Sequence, residues 1–330
     1  MARSGAGTFG FTRVMGLVLV GLVPGTIAMW WYFGWGVLIN ILIATATAVA
    51  AEAIVLRLRR REIGPVLIDL SAVVTAWLLA LALPPLLPWW QTVLGSAFAI
   101  VVVKQLFGGI GYNPFNPAMA GYVLLLVSFP VTMTRWLPPD VISGGNLSLA
   151  DSLHIIFAGT PPAGMDWDAI SSATPLDQMR TQLSQNHMIS EIRQSPLWGD
   201  FGGRGWEWVG NWFLVGGLFL IWRRVISWRI PMSMLGALLL IAGLFWLIDP
   251  ETHPHPAFHL FSGGAILGAF FIATDPVSAS TTAKMTSAPP TTCIVVRLSP
   301  KRITARATVY TGSTVLMSEA RAPPTRLTPA

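Results

Sequence analysis

Apolar positions along this chain gather into repeated runs near twenty residues long, with one long polar interval between them. A helix of that length spans the hydrocarbon core of a bilayer, so each run predicts a membrane-crossing helix. Eight are expected, at about 14–33, 36–56, 66–83, 90–107, 118–136, 207–222, 230–248 and 257–274. The fold class predicted is therefore an all-α polytopic membrane protein, a bundle of about eight spans. It divides into helices one to five (1–137), a polar loop (138–205), helices six to eight (206–284) and a tail of different character (285–330).

The boundaries carry their own signals. Trp30-Trp-Tyr-Phe-Gly-Trp-Gly36 separates the first two runs, and Trp and Tyr concentrate at a bilayer surface. Arg57, Arg59, Arg60 and Arg61 end the second run, while Arg223 and Arg224 end the sixth. With Arg3, Arg13 and Lys104 they put every basic cluster on one side, the cytoplasm by the positive-inside rule. The N-terminus is then cytoplasmic and the interval 138–205 lies outside, in the periplasm of a Gram-negative-type cell. Between Gly108 and Pro117 two Asn-Pro pairs forbid a continuous helix. Two readings stay open there: a cytoplasmic loop, or a broken-helix element lining a protein-buried site.

Composition sharpens the class. Of 330 residues 53% are hydrophobic and only 11% charged, against roughly 25% charged in ordinary soluble domains. The net charge of +6 invites a nucleic-acid reading, but the basic residues cluster at helix ends, so nucleic acid is rejected. No cleavable signal peptide is expected, because the first run lacks a small-residue cleavage site and leads into another span. Cys293 is the single cysteine, which excludes a disulfide framework and an iron–sulfur cluster ligated by this chain alone. Redox chemistry would need an organic cofactor.

The candidate chemistry lies in the polar interval, at Asp168-Ala-Ile-Ser-Ser-Ala-Thr174-Pro-Leu-Asp177. Read bare, this is a helix start: Thr174 as N-cap, Pro175 as first helical residue and Asp177 as the carboxylate of a capping box. The same geometry suits a phosphate, since a helix N-terminus offers unpaired N–H groups and positive dipole charge. The two readings are compatible.

Other ionisable residues are candidates because a bilayer makes them expensive. Glu52 and Asp69 lie near cytoplasmic ends, where snorkelling or a watery vestibule explains them as well as function does. Lys104 reads as a topology signal. Asp275, in Thr-Asp-Pro beside a run of hydroxyls, suits either a turn or a contact to an organic cofactor or hydrated cation. His253, His255 and His259 read as a surface loop, because the intervening Pro254 enforces an extended chain and no carboxylate or thiol stands at ligand spacing.

Asp168, Ser171, Ala173 and Thr174 resemble the Asp-x-x-Ser/Thr-Gly-Ala-Thr acceptor motif for covalent FMN, with Ser172 where glycine is usual. That motif belongs to the D subunit of the Rnf electron-transport complex and to the related B subunit of the sodium-pumping NADH:quinone reductase. The resemblance extends along Val23-Pro24-Gly25, Phe33-Gly34-Trp35-Gly36, Gly108-Gly-Ile-Gly-Tyr-Asn-Pro-Phe-Asn-Pro-Ala118 and Thr274-Asp-Pro-Val-Ser-Ala-Ser-Thr-Thr282. It covers about residues 14–284 and favours the Rnf D family. It implies a fold of two halves of five helices in the bacterial inner membrane. It also implies FMN esterified to Thr174 by a flavin transferase, and it admits a second, non-covalent flavin such as riboflavin. The partners implied are the other membrane and peripheral subunits of an Rnf complex, with ferredoxin and NAD(H) reached indirectly. The chain would be an electron carrier within an ion-translocating complex, without acid–base catalysis of its own. The alternative is a channel or secondary transporter on a similar scaffold.

After Lys284 the chain changes: all 15 Trp and all 16 Phe precede that point, and residues 285–330 are Thr-, Pro- and Arg-rich. The family resemblance implies two further helices here. The expectation is a tail translated from a shifted reading frame, with a genuine disordered extension as the alternative.

Overall fold

The structure is a computed structural model that describes residues 5–109, 113, 115–143, 147–162 and 164–275. The anomalous tail, and with it the frame-shift reading, lies outside the described residues. Within them the chain is an all-α membrane protein, and its only β pairings are two isolated bridges, Trp136 with Ser172 and Trp198 with Gly203.

Helix α1 (Gly5–Phe33) and helix α2 (Gly36–Leu58) are separated by Gly34 at φ 77°, a left-handed conformation that glycine adopts without steric cost. Helix α3 (Ser71–Ala82) follows, then α4 (Trp89–Phe98), which continues as a π-helical segment over Ala99–Leu106. Helix α5 is Pro117–Ser128. The polar interval contributes α6 (Leu149–Ala158) and α7 (Pro175–Ser184). Helices α8 (Trp206–Trp222), α9 (Arg229–Ile248) and α10 (Pro256–Phe261) follow.

Among the described residues three helices are by themselves long and apolar enough to cross a membrane: Gly10–Phe33, Gly36–Leu58 and Arg229–Ile248. Three of the other predicted spans are broken. The run at 66–83 is a single turn, Gly64–Leu67, then Asp69 and Leu70 (φ 62°), then α3. Asp69 Oδ1 accepts from Ser71 N at 2.8 Å, so a side chain caps the new helix start inside an apolar run. The run at 118–136 stops at Phe129, because Pro130 has no N–H and disfavours helical geometry before it. The run at 257–274 comes as α10, a turn at Ala265–Leu267 and a π segment at Gly268–Ile272.

Small residues set the helix contacts, as is usual where lipid supplies no hydrophobic drive. Antiparallel α1 and α8 touch at Gly21 and Gly216, where a Cβ on Gly216 would sit 1.9 Å from the Gly21 carbonyl oxygen. Buried Asn40 joins α2 to the Pro84–Pro85 turn, its amide donating to both carbonyls at 3.0 and 3.1 Å, and accepting from Thr92 Oγ1 at 3.1 Å. Helix α9 buries little: Leu240, Ile241, Leu244, Leu247 and Ile248 are all exposed, a surface suited to lipid.

Candidate functional site

The segment expected to carry the flavin is built from two helix starts in tandem. Asp166 caps a single turn, Trp167–Ile170, its Oδ1 accepting from Trp167 N at 2.7 Å. Asp168 lies exposed on that turn. Ser171 closes it, with its N–H and hydroxyl both donating to the Trp167 carbonyl at 2.9 and 2.8 Å. Ser172 then runs extended and donates its N–H to the Trp136 carbonyl at 2.9 Å, which fastens the segment to the end of the fifth predicted span. Ala173 is exposed.

Thr174 is the N-cap of α7, with φ −66° and ψ 155°. Its Oγ1 accepts from Asp177 N at 3.3 Å, long for an N–H···O bond. Among the described residues the Asp177 carboxylate makes no reciprocal bond to the Thr174 N–H, so the capping box predicted from sequence is half formed. Pro175 occupies the first helical position and is buried. It offers no N–H, so Leu176 and Asp177 supply the first donors of the helix. The hydroxyl is half-exposed, loosely held and set at the positive end of a helix dipole. A phosphoester on Oγ1 fits this arrangement.

Beside the segment is a slot of about 50 Å³, lined in part by Arg135, Trp136, Trp167, Ile170 and Ser171. The Arg135 guanidinium lies 4.7 Å from the centre of the Trp167 ring, within cation–π range. Ligand sites run to roughly 300–1,000 Å³, so the slot does not enclose a tricyclic ring. It presents a flat aromatic and a cation at its mouth.

The polar interval is tied down elsewhere by carboxylates. Glu251 accepts from Ile189 N at 2.9 Å through its carbonyl and from Ser190 N at 3.2 Å through its side chain. Glu191 is held below the usual carboxylate range by the Met188 N–H and then by His187; Asp249 is held low by the Thr252 hydroxyl and then the Glu251 N–H. A carboxyl depressed in the folded state lends stability above its unfolded value and loses it as pH falls through the folded one. Acidification below the ordinary carboxylate range should therefore free the Met188 and Glu251 amides first. Hydrogen exchange corrected for intrinsic rate reads this, and unchanged protection at both amides would refute it.

Asp275 is buried and accepts from Asn116 Nδ2 at 3.0 Å, across 159 residues of chain. Asn116 also caps α5, its Oδ1 accepting from Met119 N at 3.1 Å. Asn116, from a helix-breaking Asn-Pro pair, and Asp275, read as a turn or a contact, thus meet. His255 caps α10 through Nδ1, and His253 stacks on Phe245 at 5.3 Å, so both have local structural roles.

The constellation that sequence reasoning missed is a buried polar chain joining three predicted spans. Lys104 Nζ donates to Glu52 Oε1 and to Ser71 Oγ, both at 2.6 Å. Ser71 Oγ donates to Asp69 Oδ1 at 2.5 Å, and Gln105 Nε2 to Glu52 Oε1 at 2.8 Å. Glu52 and Lys104 have no exposed surface and Asp69 has 7%. Snorkelling therefore does not account for the carboxylates, and Lys104 is more than a topology signal. Glu52 Oε2 finds no partner among the described residues. Lys104 and Gln105 sit in the π segment, whose wider turn alters which residues face α2. The only sequence signal was a charge inside each apolar run.

Comparison with known proteins places the chain among relatives. Residues 7–288 match the family described as NQR2, RnfD, RnfE. The chain is similar to the D subunit of the ion-translocating oxidoreductase complex of Aeromonas salmonicida (strain A449), 52% identical over 276 residues that make up 82% of this chain and 79% of that protein. It is similar to the same-named proteins of Shigella dysenteriae serotype 1 (strain Sd197), at 50%, and Salmonella typhi, at 51%, each with 82% and 79% covered. On this match over most of its length, the chain belongs to the NQR2, RnfD, RnfE family.

Proposed function

We propose that this chain is the membrane electron-carrier subunit of an Rnf-type complex, holding FMN through a phosphoester on Thr174 Oγ1. The complex would couple electron transfer between ferredoxin and NAD to cation movement across the bacterial inner membrane. The observation that carries the reading is Thr174 itself, a loosely held hydroxyl at a helix N-terminus within Asp168–Thr174. Bound there, FMN would supply reversible electron uptake and release. Ester formation joins Oγ1 to the FMN phosphorus while the bond from phosphorus to its leaving oxygen group breaks. That group departs with the hydroxyl proton, so the chain gains the mass of FMN less one water.

The residues around Thr174 position and tune. The α7 N-terminus favours the negative phosphodiester. The Ser172–Trp136 bridge fixes the tether against the helical body. Arg135 and Trp167 offer a cation and an aromatic face beside it. Mass spectrometry of the intact denatured chain tests the assignment, and a chain at its unmodified mass, taken from an assembled complex, would refute it.

The orientation has its own test. A reporter fused after residue 62 or 226 should read cytoplasmic and one fused near 180 extracytoplasmic, as the arginine clusters require. A cytoplasmic signal at 180 would move the flavin to the other side of the membrane.

A further inference from the structure

Beyond the Gly21–Gly216 contact, α1 and α8 run on to the same end of the bundle. Arg13 stands eight residues from Gly21 and Arg223 seven from Gly216, so both lie about 10–12 Å past the contact. There the helices leave a cavity of about 490 Å³, within the roughly 300–1,000 Å³ of small-ligand sites. Arg13, Arg223 and Arg224 all line it. Among the described residues none of the three pairs with a carboxylate; the ion pairs formed are Lys104–Glu52 and His187–Glu191.

The turn that places these arginines is specific. Val225 N donates to the Leu220 carbonyl and Arg224 N to that of Ile221, both at 2.9 Å, with Arg224 at φ 55°. This is the helix-ending turn whose left-handed position usually goes to glycine. An arginine holds it here, at a steric disadvantage. Val14, Leu17 and Val225 add apolar lining beside the arginines. Trp222 stands at the rim, 74% exposed, with the Arg223 guanidinium 5.7 Å from its ring centre.

We propose that this cavity binds the phosphate headgroup of an anionic phospholipid, with the start of an acyl chain against Val14, Leu17 and Val225. Guanidinium groups recognise phosphate oxygens through paired N–H donors. Basic pockets between membrane helices on one side take anionic headgroups. A free phosphate would engage the arginines but gain nothing from Val14, Leu17 and Val225, so the mixed lining selects lipid. The lipid would bridge the leading helices of the two groups of spans on either side of the polar interval.

The test uses the intact complex, purified in detergent, stripped of lipid and re-exposed to vesicles of defined composition. Native mass spectrometry then reads lipid retained on this subunit. Phosphatidylglycerol or cardiolipin should be retained by the unsubstituted chain and phosphatidylcholine should not. Arg13→Gln, Arg223→Gln and Arg224→Gln should each weaken retention, by roughly fivefold per arginine. The control removes three arginines from the other basic turn, Arg57→Gln with Arg60→Gln and Arg61→Gln, where Arg60 also sits at positive φ (52°). Retention should survive there. Equal loss in the control would reduce the effect to bulk surface charge and overturn the proposal. Equal retention of phosphatidylcholine would overturn it as well, as would displacement of bound lipid by inorganic phosphate at matched concentration.

Discussion

Thr174→Val should leave the denatured chain without the yellow, ultraviolet-fluorescent band that the unsubstituted chain keeps through gel separation. The loss should be complete, because valine has no oxygen on which a phosphoester can form. The same change removes an N-cap, which costs about 1 kcal/mol of helix stability. Helix α7 should therefore weaken while the membrane helices stay inserted. Thr174→Asp separates the two effects: an aspartate restores the cap but cannot carry the ester, so the band stays absent while α7 is held. Covalent flavin retained in Thr174→Val would place the attachment elsewhere and end the assignment.

The largest stability change should come from Lys104→Met. The ammonium pairs with Glu52 and reaches Asp69 only through the Ser71 hydroxyl, and Glu52 and Lys104 are fully buried. Removing it leaves the buried Glu52 carboxylate without a counter-charge, which costs about 3–5 kcal/mol. The double change Glu52→Gln with Lys104→Met should recover much of that, since removing a whole buried pair is often near neutral. Heating the solubilised protein and following its monodisperse fraction measures both. A Lys104→Met chain as heat-resistant as the original would show that the pairing carries no structural weight.

How much of this was legible follows from how local each feature is. The Thr174 cap could be read because Thr-Pro-x-Asp carries its own hydrogen-bond logic within four residues. The bridge from Ser172 to Trp136 could not, since nothing in either residue names the other. The same holds for Asn116 and Asp275: the first was readable as a breaker and the second as a turn, and their meeting belongs to the packing of distant segments. Hydropathy marked the apolar runs but passed over their interruptions. Pro130 ends the helix at Phe129 inside the predicted run at 118–136, and an apolar average over that run does not register one proline. The break at Asp69–Leu70 depends on an aspartate folding back onto Ser71, which an apolar average does not register. For Lys104, sequence favoured a membrane-edge reading because the π segment that turns it inward has no signature in these residues.

The Glu52–Lys104 pair also constrains the order in which the protein is made. The two residues are 52 apart, so at roughly 5–20 residues per second the glutamate is synthesised about 3–10 s before its partner. During that wait α2 carries an uncompensated acid that lipid disfavours. Until the fourth span arrives, that acid is met by water at a wetted edge or by taking up a proton, and the ion pair forms only once both helices are present.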